Sequence, residues 1–281
     1  MSEDLEFLKV KKWLSKPSRL IDAGLGIRLA IDWVIDGPRT QRYSVDQLKT
    51  GERQYIGNRI EHELLHQWGL LKEKPLDCLI EGVPVDVKFS LKNDWMIPRE
   101  AVDQLCIIVT AQDAKACFSV GLLRARMEHL GSPNQDKKRG ITAAGRRSID
   151  WLVKDGPLPK NFLLHLDPKK REKIFSHTSG QQRVNDLFRL VRDKPIPINA
   201  VDTVAVQRDP SKRIRHNGGA RDFLRLEGIV IYGWHRDNDK LRRLGRPPLP
   251  RDYWMSIKVG DNEDDIRRLG AEPAGKTSMM R

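Results

Sequence analysis

Between Val83 and Ser90 the chain alternates with period two. Val83, Val85, Val87 and Phe89 fall on one side, and Pro84, Asp86, Lys88 and Ser90 on the other. This is the pattern of a strand with one face in a core. Ile80 is separated from Val83 by Glu81-Gly82, and glycine as the second central residue of a two-residue loop predicts a β-hairpin. Counting back through that turn sets Asp77 opposite Asp86, so the hairpin over 77–90 has an apolar face and an acidic one. Upstream, Ile56, Ile60, Leu64, Leu65 and Trp68 recur at helical spacing and predict a helix from about Tyr55 to Trp68. Residues 1–35 read as helical, with Leu5, Leu8, Leu14, Leu20, Ile21, Leu25, Leu29 and Trp33 as the markers of a packing layer. Leu105 to Thr110 and Ala116 to Leu122 are short apolar runs, expected as central strands buried on both sides.

The second half changes character. Gly156-Pro157-Leu158-Pro159-Lys160-Asn161 is a linker signal, which divides the chain into a first domain over 1–157, a linker over 158–162 and a second domain over 163–281. Val184, Leu187, Phe188 and Val191 predict a helix over 182–191, and a second short helix covers 199–206. A basic segment follows with Arg208, Lys212, Arg213, Arg215, Arg221 and Arg225, leading into an apolar strand from Gly228 to Trp234. Helices, a basic connecting element and a trailing strand predict a winged helix-turn-helix that sets its basic element in a DNA groove. The tail from Asp261 onward is expected to be loosely ordered.

Composition narrows the functional classes. The 281 residues are 39% hydrophobic and 32% charged, as in a globular protein, and no apolar run is long enough to span a membrane. The N-terminus lacks a signal-peptide pattern. Cys78, Cys106 and Cys117 form no CxxC, so reduced thiols in a cytoplasm are expected rather than disulfides or zinc. The net charge of +13 is uneven: residues 1–160 hold 26 basic and 22 acidic side chains, residues 161–281 hold 25 and 16. A basic second half points to a polyanion, most simply nucleic acid.

Two carboxylates held across a strand pair repel. Asp77 opposite Asp86, with Lys88 two residues on, therefore implies a cation between them, and hard oxygen donors favour Mg²⁺. Glu61 lies within the apolar stripe of its helix, where a carboxylate needs a partner, which makes it a third acidic candidate. The competing readings are a solvated hairpin face and a peripheral glutamate. Asp-x-Lys also occurs at Asp113/Lys115, Asp136/Lys138 and Asp167/Lys169, outside any alternating strand. Another motif competes: His62-Glu63-Leu64-Leu65-His66 matches HExxH, and Gly69 extends the match. A zinc protease would want a third histidine at 72, where this chain has Lys72, and both histidines fall outside the buried stripe. The basic residues Arg124, Arg126, Lys137, Lys138, Arg139, Arg146 and Arg147 read equally as a DNA-cleft lining or as solvated surface.

With these residues in place the chain resembles the NaeI-type restriction endonucleases. The resemblance is carried by Gly57 through Glu61, Asp77 through Ser90, Asn161 through Leu166, Gln182 through Arg189, and Gly218-Gly-Ala-Arg221 through Glu227-Gly-Ile-Val230. It implies an α/β (α+β) fold with a PD-(D/E)xK restriction-endonuclease-like core and a C-terminal winged helix-turn-helix similar to that of catabolite activator proteins. Glu61, Asp77, Asp86 and Lys88 fall on the catalytic positions, the first three as Mg²⁺ ligands; Leu76 separates Pro75 from Asp77, so the "PD" is not literal. The implied activity is Mg²⁺-dependent double-strand cleavage at a short palindromic site, GCCGGC in the family prototype, by a homodimer activated by a second DNA site. A separate methyltransferase would protect host DNA. Two further readings stay beside it: a DNA-binding regulator without catalysis, and a sequence-independent nickase or repair nuclease on the same core.

Overall fold

A computed structural model of the chain describes residues 4–207, 209 and 211–259. The expectations for Arg208 and for the tail from Asp261 lie outside the described residues. The chain opens with helices α1 (Leu5–Leu14), α2 (Pro17–Ile35), the single turn α3 (Gly37–Thr40) and α4 (Thr50–Trp68). Then come β1 (Cys78–Ile80), β2 (Val83–Ser90), β3 (Met96–Ile97), β4 (Leu105–Gln112), β5 (Cys117–Arg124), β6 (Leu130–Pro133), β7 (Arg139–Ile141), α5 (Ala143–Arg147) and β8 (Asp150–Pro157). The remaining elements are α6 (Pro168–Phe175), α7 (Gly180–Leu190), β9 (Ile196–Pro197), α8 (Ile198–Ala205), α9 (Ser211–Ile214), α10 (Ala220–Arg225), β10 (Ile229–Gly233), α11 (Asn238–Arg243) and β11 (Tyr253–Lys258). Together they make a mixed α/β protein of two compact units, and no helix among the described residues is long and apolar enough to cross a membrane.

The first unit is built on a five-stranded sheet in the order β1-β2-β4-β5-β8. Strands β2 and β4 run parallel, the other neighbours antiparallel. Parallel pairing needs a crossover, which residues 91–104 supply. The period-two pattern gives the sheet two buried faces. Val83, Val85, Val87, Leu105, Ile107 and Val109 join the core formed with α1, α2 and α4. On the opposite face Cys106, Ile108 and Leu123 pack with Leu76, Trp95 and Ile97. β4 is thus buried on both sides, as its unbroken apolar run predicts. Helix α4 starts five residues before the predicted position, because its polar first turn is fixed by Glu52, which accepts from the Lys49 backbone N–H at 2.9 Å. It ends at Gly69 (φ 66°), in the left-handed position that favours glycine.

The packing face expected for α2 is corrected. Ala23, Ile27, Ala30, Ile31, Val34 and Ile35 are buried, whereas the sequence markers Ile21, Leu25, Leu29 and Trp33 are exposed, as are Leu5 and Leu8 of α1. Helix α2 is apolar on more than one side, so periodicity alone does not select the face that packs.

In the second unit, α6 to α8, α10 and strand β10 close around Val184, Leu187, Phe188, Val201, Leu224 and Ile231. Its sheet has the order β10-β11-β9, with antiparallel neighbours. Ser256 ties the sheet to α7, donating to the carbonyls of Phe188 (2.7 Å) and Val191 (2.9 Å). The units do not divide as the composition suggested. Residues 36–43 belong with the second unit: Gly37 lies so close to Thr203 that a Cβ would clash, and Tyr43 stacks on Phe175 (5.4 Å) beneath the Arg171 guanidinium (4.9 Å). At the other boundary, Leu158 is buried and donates its N–H to Ala116 (2.9 Å), so the chain stays with the first unit through Asn161.

Candidate active site

The hairpin forms as its alternation predicts. Ile80 pairs with Val83 and Cys78 with Val85, and Glu81 (φ 51°) and Gly82 (φ 79°) form the tight turn with both central residues left-handed. One step further in this register Asp77 comes across from Asp86. Its Oδ2 accepts from the Val87 backbone N–H at 2.8 Å, which pins the carboxylate to β2. On the other side of β2, Asp86 and Lys88 stand beside Cys106 and Ile108 of β4. This face is not a solvated one: Asp86 is only 3% exposed and Asp77 is buried.

Charge organises what burial encloses. The Lys88 ammonium lies 2.8 Å from Asp86 Oδ2 and 3.8 Å from Asp77 Oδ2. Glu61, from α4, reaches the same group through Lys72, whose Nζ is 2.5 Å from Glu61 Oε1 and 3.8 Å from Asp77 Oδ1. The chain of charges therefore runs Glu61, Lys72, Asp77, Lys88, Asp86. No pattern in the sequence marks Lys72 as a member of this group. His62 and His66 are exposed on the far side of α4, and among the described residues no third ligand joins them.

Burial pushes the Asp86 carboxyl up to about 7; Lys88 works against that shift and Asp77 adds to it. For Lys88, burial disfavours the ammonium, but Asp86 and Asp77 outweigh it and hold the group above the ordinary lysine range. The thiols behind the site are kept neutral by burial, Cys78 with its pKa pushed up to about 12 and Cys106 also raised. Among the described residues no three His, Cys, Asp or Glu side chains are gathered closely enough to hold a metal on their own, since ammonium groups stand between the carboxylates. The donor chemistry still suits a hard cation. Glu61, Asp77 and Asp86 offer only oxygens, and the buried Asp86 Oδ2 faces the Lys88 ammonium at 2.8 Å, a cation already held where a metal would bind.

The other Asp-x-Lys triplets have structural work instead. Asp113 is buried against Arg28 (2.5 Å), Asp167 caps α6 by accepting from the Lys170 N–H (3.1 Å), and Asp136 and Lys138 lie exposed between β6 and β7. In the first unit's basic stretch, Arg124 is bound to Asp4 (2.6 Å) and Glu6 (2.9 Å), and Arg139 donates to the Gly131 carbonyl (2.7 Å). Arg126, Lys137, Lys138, Arg146 and Arg147 are exposed.

The basic candidates of the second unit separate in the same way. Lys212 and Arg215 are exposed, and Arg225 is half-buried at the end of α10. Arg213 donates to Gln207 (3.1 Å). Arg221 is paired with Asp237 (2.9 Å) and lies against the Trp254 ring (5.6 Å), so it braces α10 against the region after β10.

Comparison with known proteins places this geometry in context. The family model for the restriction endonuclease NaeI matches residues 18–267. A type II restriction enzyme NaeI from Lentzea aerocolonigenes is 36% identical over 284 aligned residues, covering 98% of this chain and 89% of the relative.

Proposed function

The chain belongs to the restriction endonuclease NaeI family, and from that premise we propose that it is a Mg²⁺-dependent type II enzyme making double-strand breaks at a short palindromic site, GCCGGC. The observation that carries this reading is the pair of buried carboxylates, Asp77 and Asp86, with half-buried Lys88 on one hairpin, and Glu61 joined to them through Lys72. A regulator without catalysis would have no need to bury Asp86 at the cost of its ionisation.

Glu61, Asp77 and Asp86 are the residues that would hold Mg²⁺, which when bound lowers the pKa of a water and offsets charge on the scissile phosphate. The protein supplies the rest. The Val87 N–H fixes the rotamer of Asp77, and the apolar layer of Leu76, Trp95 and Ile108 limits water around Asp86. Lys88, held charged by two carboxylates, is equipped to stabilise charge on the phosphate rather than to take a proton.

The first unit is read as the PD-(D/E)xK core and the second as a winged helix-turn-helix. Supporting the latter is the order α7, β9, α8, α10, β10, β11, in which β9 closes the edge of the β10-β11 pair. In this reading the second unit takes a second copy of the site and stimulates cleavage, Lys212 and Arg215 being its exposed phosphate contacts. A palindrome fits a two-fold homodimer. The enzyme would act on DNA in the cytoplasm beside a methyltransferase that protects host sites.

The test is supercoiled plasmid carrying several GCCGGC sites, incubated with protein in Mg²⁺ and in EDTA, with Asp86→Ala and Lys88→Ala as controls whose folding is checked by circular dichroism. Discrete linear fragments that need Mg²⁺ and are lost in both folded variants are expected. DNA binding without cleavage would overturn the nuclease reading, and sequence-independent nicks would overturn the site-specific one.

A further inference from the structure

From Ile21 onward, every exposed position of α2 is a large apolar residue: Ile21 (64% exposed), Leu25 (44%), Leu29 (49%) and Trp33 (54%). They recur every four residues and form one ridge along the helix. Tyr55 of α4, 45% exposed, extends the ridge beside Trp33, their rings 5.8 Å apart. The cation beside Trp33 is neutralised in place, since Arg59 lies over its ring (4.7 Å) and pairs with Glu63.

We propose that this ridge is the contact between two copies of the chain, packed across a two-fold axis that passes between Leu25 and Leu29. The proposal rests on the homodimer reading above and adds its surface and register. Three properties select a second copy as the occupant. The spacing is self-complementary: an antiparallel two-fold sets Leu25 against Leu29 of the partner subunit and Ile21 against Trp33 of the partner subunit, an isologous contact of like ridges. The ridge carries no charge, so two chains of net charge +13 can approach there without like-charge contacts. The exposed side chains offer roughly 500 Å² per chain, hence about 1,000 Å² for the pair, the lower bound for a biological interface before the flanking residues of α2 and α4 are added. A lipid surface would instead favour lysine and arginine along the flanks of the ridge, and α2 exposes none from Ile21 onward.

The experiment is sedimentation velocity on the full chain. Wild-type protein is expected to be dimeric at low micromolar concentration. Leu25→Glu and Leu29→Lys, both at exposed positions that leave the circular dichroism spectrum unchanged, are each expected to weaken dimerisation by roughly a hundredfold, because a charge is then buried without a partner. Mixing the two variants is expected to restore a dimer, since Glu at 25 then faces Lys at 29 across the axis. A monomeric wild-type protein would overturn the homodimer reading itself. A dimer that survives both single substitutions, or variants that stay monomeric when mixed, would overturn this interface while leaving the homodimer reading intact.

Discussion

Asp86 is the residue at which burial and charge oppose each other most directly. Its carboxyl is pushed up to about 7, so the folded state holds a proton over a range in which the unfolded chain has released it. The stability this contributes is complete below about pH 4 and is lost as pH rises through about 7. Asp86→Asn is therefore expected to raise the melting temperature at pH 8 without divalent metal by several degrees, with the gain shrinking towards pH 4; an equal gain at both pH values would show that Asp86 is not the group titrating. Protons and divalent metal compete for the same carboxylate, so the Ca²⁺ concentration that half-saturates the wild-type protein, measured by calorimetry, is expected to rise as pH falls below 7. Lys88→Ala removes the ammonium 2.8 Å from Asp86 and is expected to lower the cleavage rate at least about a hundredfold while DNA affinity in Ca²⁺ changes little. Near-wild-type cleavage would remove Lys88 from the proposed site. Asp77, Asp86 and Lys88 were legible in the sequence because a tight turn fixes which residues oppose each other. Lys72 was not, because a loop residue that reaches back to a helix has no periodicity to announce it.

At the scale of elements, the hairpin turn is the part of the fold that its own two residues specify. Glu81 occupies a left-handed conformation that only glycine and, to a lesser degree, asparagine adopt at small cost, whereas Gly82 meets it freely with open space around it. Glu81→Asn, which creates the preferred Asn-Gly pair, is expected to stabilise the first unit by about 0.5–1 kcal/mol, a rise of roughly 2–4 °C in melting temperature. A fall would mean that the Glu81 side chain has a role beyond the turn. Strands β2, β4 and β5 were legible for the same local reason, since period-two patterns and unbroken apolar runs report burial on one face or two. Helix α2 was not, because two apolar stripes compete and only the sheet beneath decides that Ala23, Ile27 and Ile31 go inside. That the acidic face of β2 is covered was not legible, because alternation gives the period of a strand and says nothing about what covers its second face. Trp95 and Leu76, which belong to the layer on that side, come from segments with no strong pattern of their own.

For the whole molecule, charge and the two units bear on the same question. The excess of basic over acidic residues lies mostly in 161–281, yet two of its candidate arginines are bound within the second unit, Arg213 to Gln207 and Arg221 to Asp237. The charge that can meet phosphate is therefore smaller than the sequence total, and Lys212 and Arg215 stand out because they are exposed. Replacing both with alanine in the full chain is expected to flatten the salt dependence of DNA binding by about two counterions without changing sequence preference. Cleavage should follow, if a second bound site activates the first unit. Wild-type enzyme is expected to cut a plasmid with two GCCGGC sites several-fold faster than one with a single site, and an added oligonucleotide carrying the site should close that gap. The doubly substituted chain should cut both plasmids at the slow rate and respond weakly to the oligonucleotide, because its nuclease residues are untouched and only the activating contact is weakened. Equal wild-type rates on the two plasmids would remove second-site activation. A double variant that still responds fully would move the second DNA site away from α9 and the residue that follows it.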